Sequence, residues 1–277
     1  MDLRSSAPVC FPWNGSKRWL LPHLQPLVSR WFAASTNGTY LEPFAGAAHL
    51  ARAVRASAPS TSLLLNDANL WLMSLYRQQQ SGEAITISPN QFSVERIHKF
   101  RNLADSSLTR SGMTVQLAAT RFLVCLLTCW GNRWEAKPDG RFRSTLNNTY
   151  CDPVKLASRI CAVLNDWWLT AGDTILAGDW QTAVAGVQRG DLVYIDPPYP
   201  ESLGYGNNQW RFKHLLDLVD WCAEAHRDGV YVILSNMDDV QRLLTRIGYT
   251  TSLVNGPRTT KTKKARVELI AHNIEAA

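Results

Sequence analysis

The chain has 277 residues, 45% of them apolar, and carries a formal net charge of +6. That is enough sequence for one large α/β domain, or a core with an insertion, at an apolar content ordinary for a packed protein. No apolar run approaches the ~20 residues of a membrane span, the start Met1-Asp2-Leu3-Arg4 leads into no sustained apolar stretch, and the positive balance fits a polyanionic partner.

The first motif in chain order is Phe11-Pro12-Trp13-Asn14-Gly15-Ser16-Lys17, ahead of a helix-like stretch at 18–24. A basic residue in a Gly/Ser turn suits a carboxylate, and a solvated lysine before a helix is the plainer alternative. Tyr40-Leu41-Glu42-Pro43-Phe44-Ala45-Gly46-Ala47-Ala48 reads as a short strand, a small-residue turn and a helix beginning near His49 and Leu50. Small residues admit a ligand close to the backbone, and free N–H groups at a helix start favour electron-rich groups. A further apolar run, Ser62-Leu63-Leu64-Leu65-Asn66, ends in Asp67. Doubly wound folds hold a nucleoside ribose at such a position, although Asp67 could equally cap a helix over 68–76.

The strand-like runs are 39–42, 62–66, 174–176, 192–195, 230–234, 250–254 and 267–271, with helical patterns between most of them. Between 81 and 168 no such strand alternates with helices. Helices are expected there at 94–103, 115–129 and 153–168, as an insertion into an α/β domain made of 1–80 and 169–277. The insertion gathers Trp130, Arg133, Trp134, Lys137, Arg141 and Arg143 in one polar stretch, where basic groups can meet phosphates and base edges. Trp167-Trp168 reads as satellite core on the apolar side of a helix. Cys125 and Cys129 sit one helical turn apart without a C-x-x-C or a His pair, so buried thiols, no metal site and a reducing cytoplasm are expected.

Asp196-Pro197-Pro198-Tyr199 closes the apolar run Leu192-Val193-Tyr194-Ile195. Two prolines without N–H groups leave acceptors free of competing donors. Asp196 and the Pro197 carbonyl can accept both hydrogens of an exocyclic amine, while Tyr199 stacks on the ring that carries it. The simpler reading is a strand ending in a proline turn.

Taken in this order, the segments resemble the Dam-like (D12 class, alpha-group) DNA adenine-N6 methyltransferases over nearly the whole chain. Trp13-Asn14-Gly15-Ser16-Lys17 is similar to the family's tryptophan–glycine–lysine element, and Glu42-Pro43-Phe44-Ala45-Gly46-Ala47-Ala48 to its EPFxGxG motif. Asn66-Asp67 matches the ribose acid, Gly178-Asp179-Trp180 the element beside the cofactor adenine, and Asp196-Pro197-Pro198-Tyr199 the catalytic motif. The resemblance implies a Rossmann-like mixed α/β sheet with a helical target-recognition insertion and S-adenosylmethionine as cofactor. It places the cofactor on Trp13, Asn14, Gly15, Ser16, Lys17, Glu42, Phe44, Ala45, Gly46, Ala47, Asp67, Asp179, Trp180 and Asp196, with Lys17 toward its methionine carboxylate. The implied activity is site-specific methylation of the N6 amine of a flipped adenine in double-stranded DNA, in the cytoplasm of a bacterial or phage-infected cell.

Two features depart from the family. Ala48 replaces the usual second glycine, and the segment 129–140 follows the recognition hairpin only loosely, so GATC, the family's best-known target, is not assumed. Arg133, Lys137, Arg141 and Arg143, with Lys261, Lys263 and Lys264 in the basic loop near the end, are the expected DNA contacts. An RNA adenine-N6 methyltransferase would use the same pocket, and a degenerate DNA-binding relative is disfavoured by the intact catalytic motif. Asp196 argues against a cytosine-N4 enzyme, which more often has Ser there, and against a protein-glutamine enzyme, which typically has Asn. Nothing in the sequence demands more than one copy.

Overall fold

The structure is a computed structural model and describes residues 11–35, 37–108, 112–198, 210–236, 240–258 and 265–275. Tyr199, Lys261, Lys263 and Lys264 lie outside the described residues. Seven strands form one sheet: β1 (Tyr40–Glu42), β2 (Leu63–Leu65), β3 (Thr174–Ile175), β4 (Leu192–Ile195), β5 (Tyr231–Asn236), β6 (Thr250–Arg258) and β7 (Ala265–His272). Their order is β3-β2-β1-β4-β5-β7-β6. The first five run parallel, and β7 enters antiparallel between β5 and β6.

This order decides where a ligand can sit. The chain winds outward through β1, β2 and β3, then returns to place β4 on the other side of β1. Loops leaving β1 and β4 therefore diverge and open a crevice at the carboxyl ends of those strands. All four residues of β4 are buried, the continuous apolar pattern expected of a parallel strand covered on both faces.

The antiparallel strands run longer than their apolar runs. Ser235 and Asn236 extend β5 because they pair with Ile270 and Leu269 of β7. Ladder bonds come from the backbone, so polar side chains do not stop them.

Helix α1 (Leu21–Ala34) follows a 3₁₀ turn at Arg18–Leu20, and α2 (His49–Ser57) follows β1. Helix α3 (Leu70–Ser81) is offset from the expected 68–76. Asn69, and not Asp67, caps it by accepting from the Trp71 and Leu72 amides. Its polar end continues because Gln79 is buried against the insertion, donating to the Val163 carbonyl at 2.8 Å and accepting from the Trp168 indole at 2.9 Å.

Residues 81–168, where an insertion is expected, contribute α4 (Val94–Arg101), α5 (Val115–Leu127) and α6 (Pro153–Leu164). Every residue from Ala118 to Leu127 is buried, since α5 packs against α3, α4 and α6. These three helices share one continuous hydrophobic core with α1, α2 and α3. Helix α6 stops before the expected 168 because Asn165 turns back to hydrogen-bond both backbone groups of Ile85. The tryptophans after it are consequently not on a helix. Trp167 is 50% exposed, contrary to the satellite-core expectation, while Trp168 packs edge-on to Tyr76 beneath the Arg52 guanidinium. The opposite face of the sheet is covered by α7 (Trp180–Val184), α8 (Phe212–Asp228) and α9 (Gln241–Arg246).

Candidate active site

A cleft of about 810 Å³ opens over the β1 and β4 ends. It is lined by Trp13–Lys17, by the turn from Glu42 to Leu50, by Asp67, by Gly178–Trp180, by Asp196–Pro198 and by the start of α8. Asn66 holds three of these loops together. Its side-chain amide donates to the Pro43 carbonyl at 2.9 Å and the Gly178 carbonyl at 3.1 Å, while its own carbonyl accepts the Ala45 amide at 2.8 Å.

The turn after β1 is shaped by two left-handed residues, Gly46 (φ +47°) and Ala48 (φ +49°). Glycine adopts this conformation without penalty, whereas alanine pays about 1 kcal/mol. The Trp13 indole lies directly against Gly46. Asp67 supports the turn from the β2 side, one carboxylate oxygen accepting the Gly46 amide at 3.0 Å and the other the Asn69 amide at 2.9 Å. Burial raises its carboxyl above the ordinary range, and these two amides oppose that shift. An ionised carboxylate has about four acceptor sites, so capacity remains for a ligand hydroxyl.

Lys17 is buried at 7% exposure and forms an ion pair with Asp196. Its ammonium also lies 3.3 Å from Glu268 on β7. In this structure the Lys17 charge thus meets two protein carboxylates. Glu42, at the end of β1, accepts from the Tyr40 hydroxyl and the Ala51 amide, each at 2.7 Å. Burial pushes its carboxyl up to about 8, with Asp196 adding to the shift, so near neutral pH it is mostly uncharged.

Aromatic rings wall the far side. Trp180 stacks on Phe44 with centroids 6.2 Å apart and planes at 29°, and Trp210 meets Phe44 edge-on at 5.4 Å. Asp179 is exposed and caps α7 through the Gln181 amide at 2.8 Å. Trp210, Arg211, Lys213 and His214 line the cleft although the sequence reading did not select them. They follow a stretch without periodicity, so nothing local marked them. His49 was also passed over. It begins α2, is 9% exposed, and is pushed down to about 4, first by burial and then by Arg18 and Arg52.

The basic stretch of the insertion forms a small hairpin. Ala136 bridges Phe142, Lys137 donates its amide to the Arg141 carbonyl at 2.7 Å, and Arg143 donates to Glu135 at 2.8 Å. Trp134, Phe142 and Ser144 face inward, leaving Arg133, Lys137, Arg141 and Arg143 exposed on the outer side. The hairpin is seated by Arg121, fully buried in α5, which donates to the Phe100, Leu103 and Gly140 carbonyls. Its guanidinium lies over the Trp71 ring at 4.0 Å and the Trp134 ring at 5.3 Å.

The profile of the D12 class N6 adenine-specific DNA methyltransferases matches residues 13–267. The chain belongs to this family.

Among curated relatives of this methyltransferase, the Type II methyltransferase M1.LlaDCHI of Lactococcus lactis subsp. cremoris is 26% identical over 235 residues, covering 81% of this chain and 79% of that protein. The DNA N-6-adenine-methyltransferase of Escherichia phage P1 is 24% identical, over 82% of this chain but only 29% of the phage protein. A solved precorrin-6y C5,15-methyltransferase from Geobacter metallireducens GS-15 aligns over 94% of this chain and 93% of that one at 10% identity and a TM-score of 0.39.

This adenine-specific DNA methyltransferase brings Trp13, Asn14, Gly15, Ser16, Lys17, Glu42, Phe44, Ala45, Gly46, Ala47, Asp67, Asp179, Trp180, Asp196, Pro197 and Pro198 to one cleft. Cys125 and Cys129 are buried, and burial pushes both thiols up to about 11. Among the described residues no helix is long and apolar enough to cross a membrane.

Proposed function

We propose that this DNA adenine methyltransferase acts on double-stranded DNA in the cytoplasm, taking its methyl group from S-adenosylmethionine bound over the β1 end and delivering it to an adenine flipped toward Asp196. The observation that carries this reading is the position of Asp196. Its carboxylate closes β4 and shares one cleft with the Gly46 turn and Asp67.

The lining fits the cofactor. The Gly46 turn is a cradle that a Cβ would fill, Asp67 stands at the β2 tip with acceptor capacity for ribose hydroxyls, and Phe44 with Trp180 supplies aromatic faces for an adenine ring. When bound, S-adenosylmethionine supplies an electrophilic methyl group and its sulfur retains the electron pair of the broken carbon–sulfur bond.

The chain's own task is to prepare the amine. An adenine N6 lone pair is delocalised into the ring and is a poor nucleophile. By accepting both N–H groups, Asp196 and the Pro197 carbonyl draw the nitrogen toward tetrahedral shape and stabilise the positive charge that develops there. The displaced proton leaves along the bond to Asp196. Tyr199 stacks on the base once it has left the duplex, since a paired base cannot reach the site. The hairpin carrying Arg133, Lys137, Arg141 and Arg143 meets the DNA, and Lys261, Lys263 and Lys264 are assigned to the same polyanion.

Asp196→Ala tests this assignment. Methyl incorporation from labelled cofactor should fall by on the order of 10² or more, with cofactor affinity retained. Wild-type turnover would remove Asp196 from the mechanism, and incorporation into RNA or protein in place of duplex DNA would redirect the substrate.

A further inference from the structure

Glu268 is the acidic residue that the catalytic motif does not account for. It lies on β7, is fully buried, and sits one residue beyond the last β5–β7 pair, Asn236 with Leu269. That register carries it past the tip of β5 toward the tip of β4. There its Oε1 is 3.3 Å from the Lys17 ammonium, whose other carboxylate neighbour is Asp196.

A buried ammonium bound to Asp196 alone would have a cost for the chemistry. The amine to be methylated becomes cationic, and its acceptor is most useful when it keeps negative charge. One cation on one carboxylate sums to zero. With Glu268 on its other side, the three groups sum to one negative charge. The division also leaves room at Asp196, because Lys17 occupies Oδ1 and Oδ2 remains for the substrate. Glu268 is not itself a lining residue of the cleft, and the Lys17 ammonium, which is, links its carboxylate to Asp196.

We propose that Glu268 is a positioning residue for methyl transfer, holding one side of the Lys17 ammonium so that this cation orients Asp196 without neutralising it. The proposal rests on Asp196 being the acceptor for the target amine.

The test measures single-turnover methyl transfer from labelled S-adenosylmethionine into unmethylated genomic duplex DNA. Cofactor affinity by calorimetry and the thermal midpoint are followed in parallel. Glu268→Gln keeps the shape and removes the charge. It should slow transfer at least tenfold while cofactor affinity changes less than twofold, and Glu268→Asp, which restores the charge, should recover the rate to within threefold of wild type. A Gln variant at the wild-type rate overturns the proposal, as do Gln and Asp variants that are equally slow. Asp196→Asn in the same assay separates the two levels. If it transfers at the wild-type rate, the reading of Asp196 fails; if it is slow and Glu268→Gln is not, only the role of Glu268 fails. Should Glu268→Gln not fold, Lys17→Gln is compared with Lys17→Gln/Glu268→Gln, in which the buried charges are removed together. Once the cation is gone the route from Glu268 to Asp196 through Lys17 is gone with it, so rates within threefold support the proposal and a further tenfold loss in the double variant overturns it.

Discussion

A Cβ placed on Gly46 would come within 2.8 Å of the Trp13 indole nitrogen. The tryptophan of the N-terminal motif is thus the lid of the Gly46 turn, and the two motifs form one surface although they are 33 positions apart. Gly46→Ala meets two obstacles, the indole and a left-handed φ of +47°. We expect it to cost about 1–3 kcal/mol of stability and to weaken S-adenosylmethionine binding at least tenfold. Calorimetry below the thermal midpoint measures the second effect, and unchanged affinity would detach the cofactor from this turn.

Ala48 gives the opposite expectation. It holds a left-handed conformation with its methyl group buried, at the position where the family's motif has glycine. Ala48→Gly relieves backbone strain but loosens the unfolded chain, so the expected net gain is about 0.5–1 kcal/mol. Denaturant midpoints check the sign. A destabilised Gly variant would mean that the buried methyl group contributes more packing than the left-handed turn costs.

The β4 strand, the acid at the β2 tip and the small-residue turn were legible in the sequence because each is a short local pattern. Apolar runs ending in Asp67 or Asp196 reveal a strand and its tip together, whatever the rest of the chain does. Long-range pairing is not local. The Lys17–Glu268 contact joins residues 251 positions apart, and it depends on β7 entering the sheet beside β5. Arg121 likewise looks out of place in an apolar helix until the hairpin carbonyl of Gly140 that it binds is known. Helix ends were misjudged where a side chain overrode periodicity, as Asn165 does after α6 and Gln79 does within α3.

Glu42 and His49 make stability depend on pH with opposite signs. Burial raises the Glu42 carboxyl from 4.5 to about 8, so over that range the folded chain holds a proton that the unfolded chain has lost, and this contribution falls as pH rises. His49 is lowered from 6.5 to about 4, so there the unfolded chain holds the extra proton and the contribution is lost as pH falls. The slopes oppose each other between 4.5 and 6.5, and only Glu42 remains between 6.5 and 8. Stability should decline across that upper window by up to ~1.4 kcal/mol per pH unit. Chemical denaturation of wild type and Glu42→Gln decides this, since an equally steep decline in the variant would assign the effect to another group.

Arg121→Met should unseat the hairpin. It removes hydrogen bonds to three carbonyls and the cation above Trp71 and Trp134. Three acceptors are left in an apolar setting, at a cost of roughly 3 kcal/mol. Cofactor affinity of the remaining folded protein should stay within about twofold while duplex DNA binding weakens at least tenfold. Equal losses of both would indicate general unfolding.

The exposed face of the hairpin allows the charges themselves to be separated. Arg141 is held by Asp139, its Nε 2.7 Å from the carboxylate, whereas Arg133, Lys137 and Arg143 are tied to the described residues at this face through their backbone groups. A cation already paired contributes less to a polyanion, because part of its field is cancelled. Arg141→Ala should therefore weaken DNA binding less than Lys137→Ala. Asp139→Ala should have the reverse effect, tightening binding to all sequences and steepening the salt dependence by about one ion. A base contact behaves differently: Arg133→Ala should relax the choice at one position of the site, at a cost of roughly 1–3 kcal/mol there. Methylation profiles over a randomised duplex library, read at several salt concentrations, distinguish the cases. If the Arg133, Lys137 and Arg141 variants and Asp139→Ala all kept the wild-type preference and salt slope, the hairpin would not contact DNA, and recognition would pass to the basic segment containing Lys261, Lys263 and Lys264.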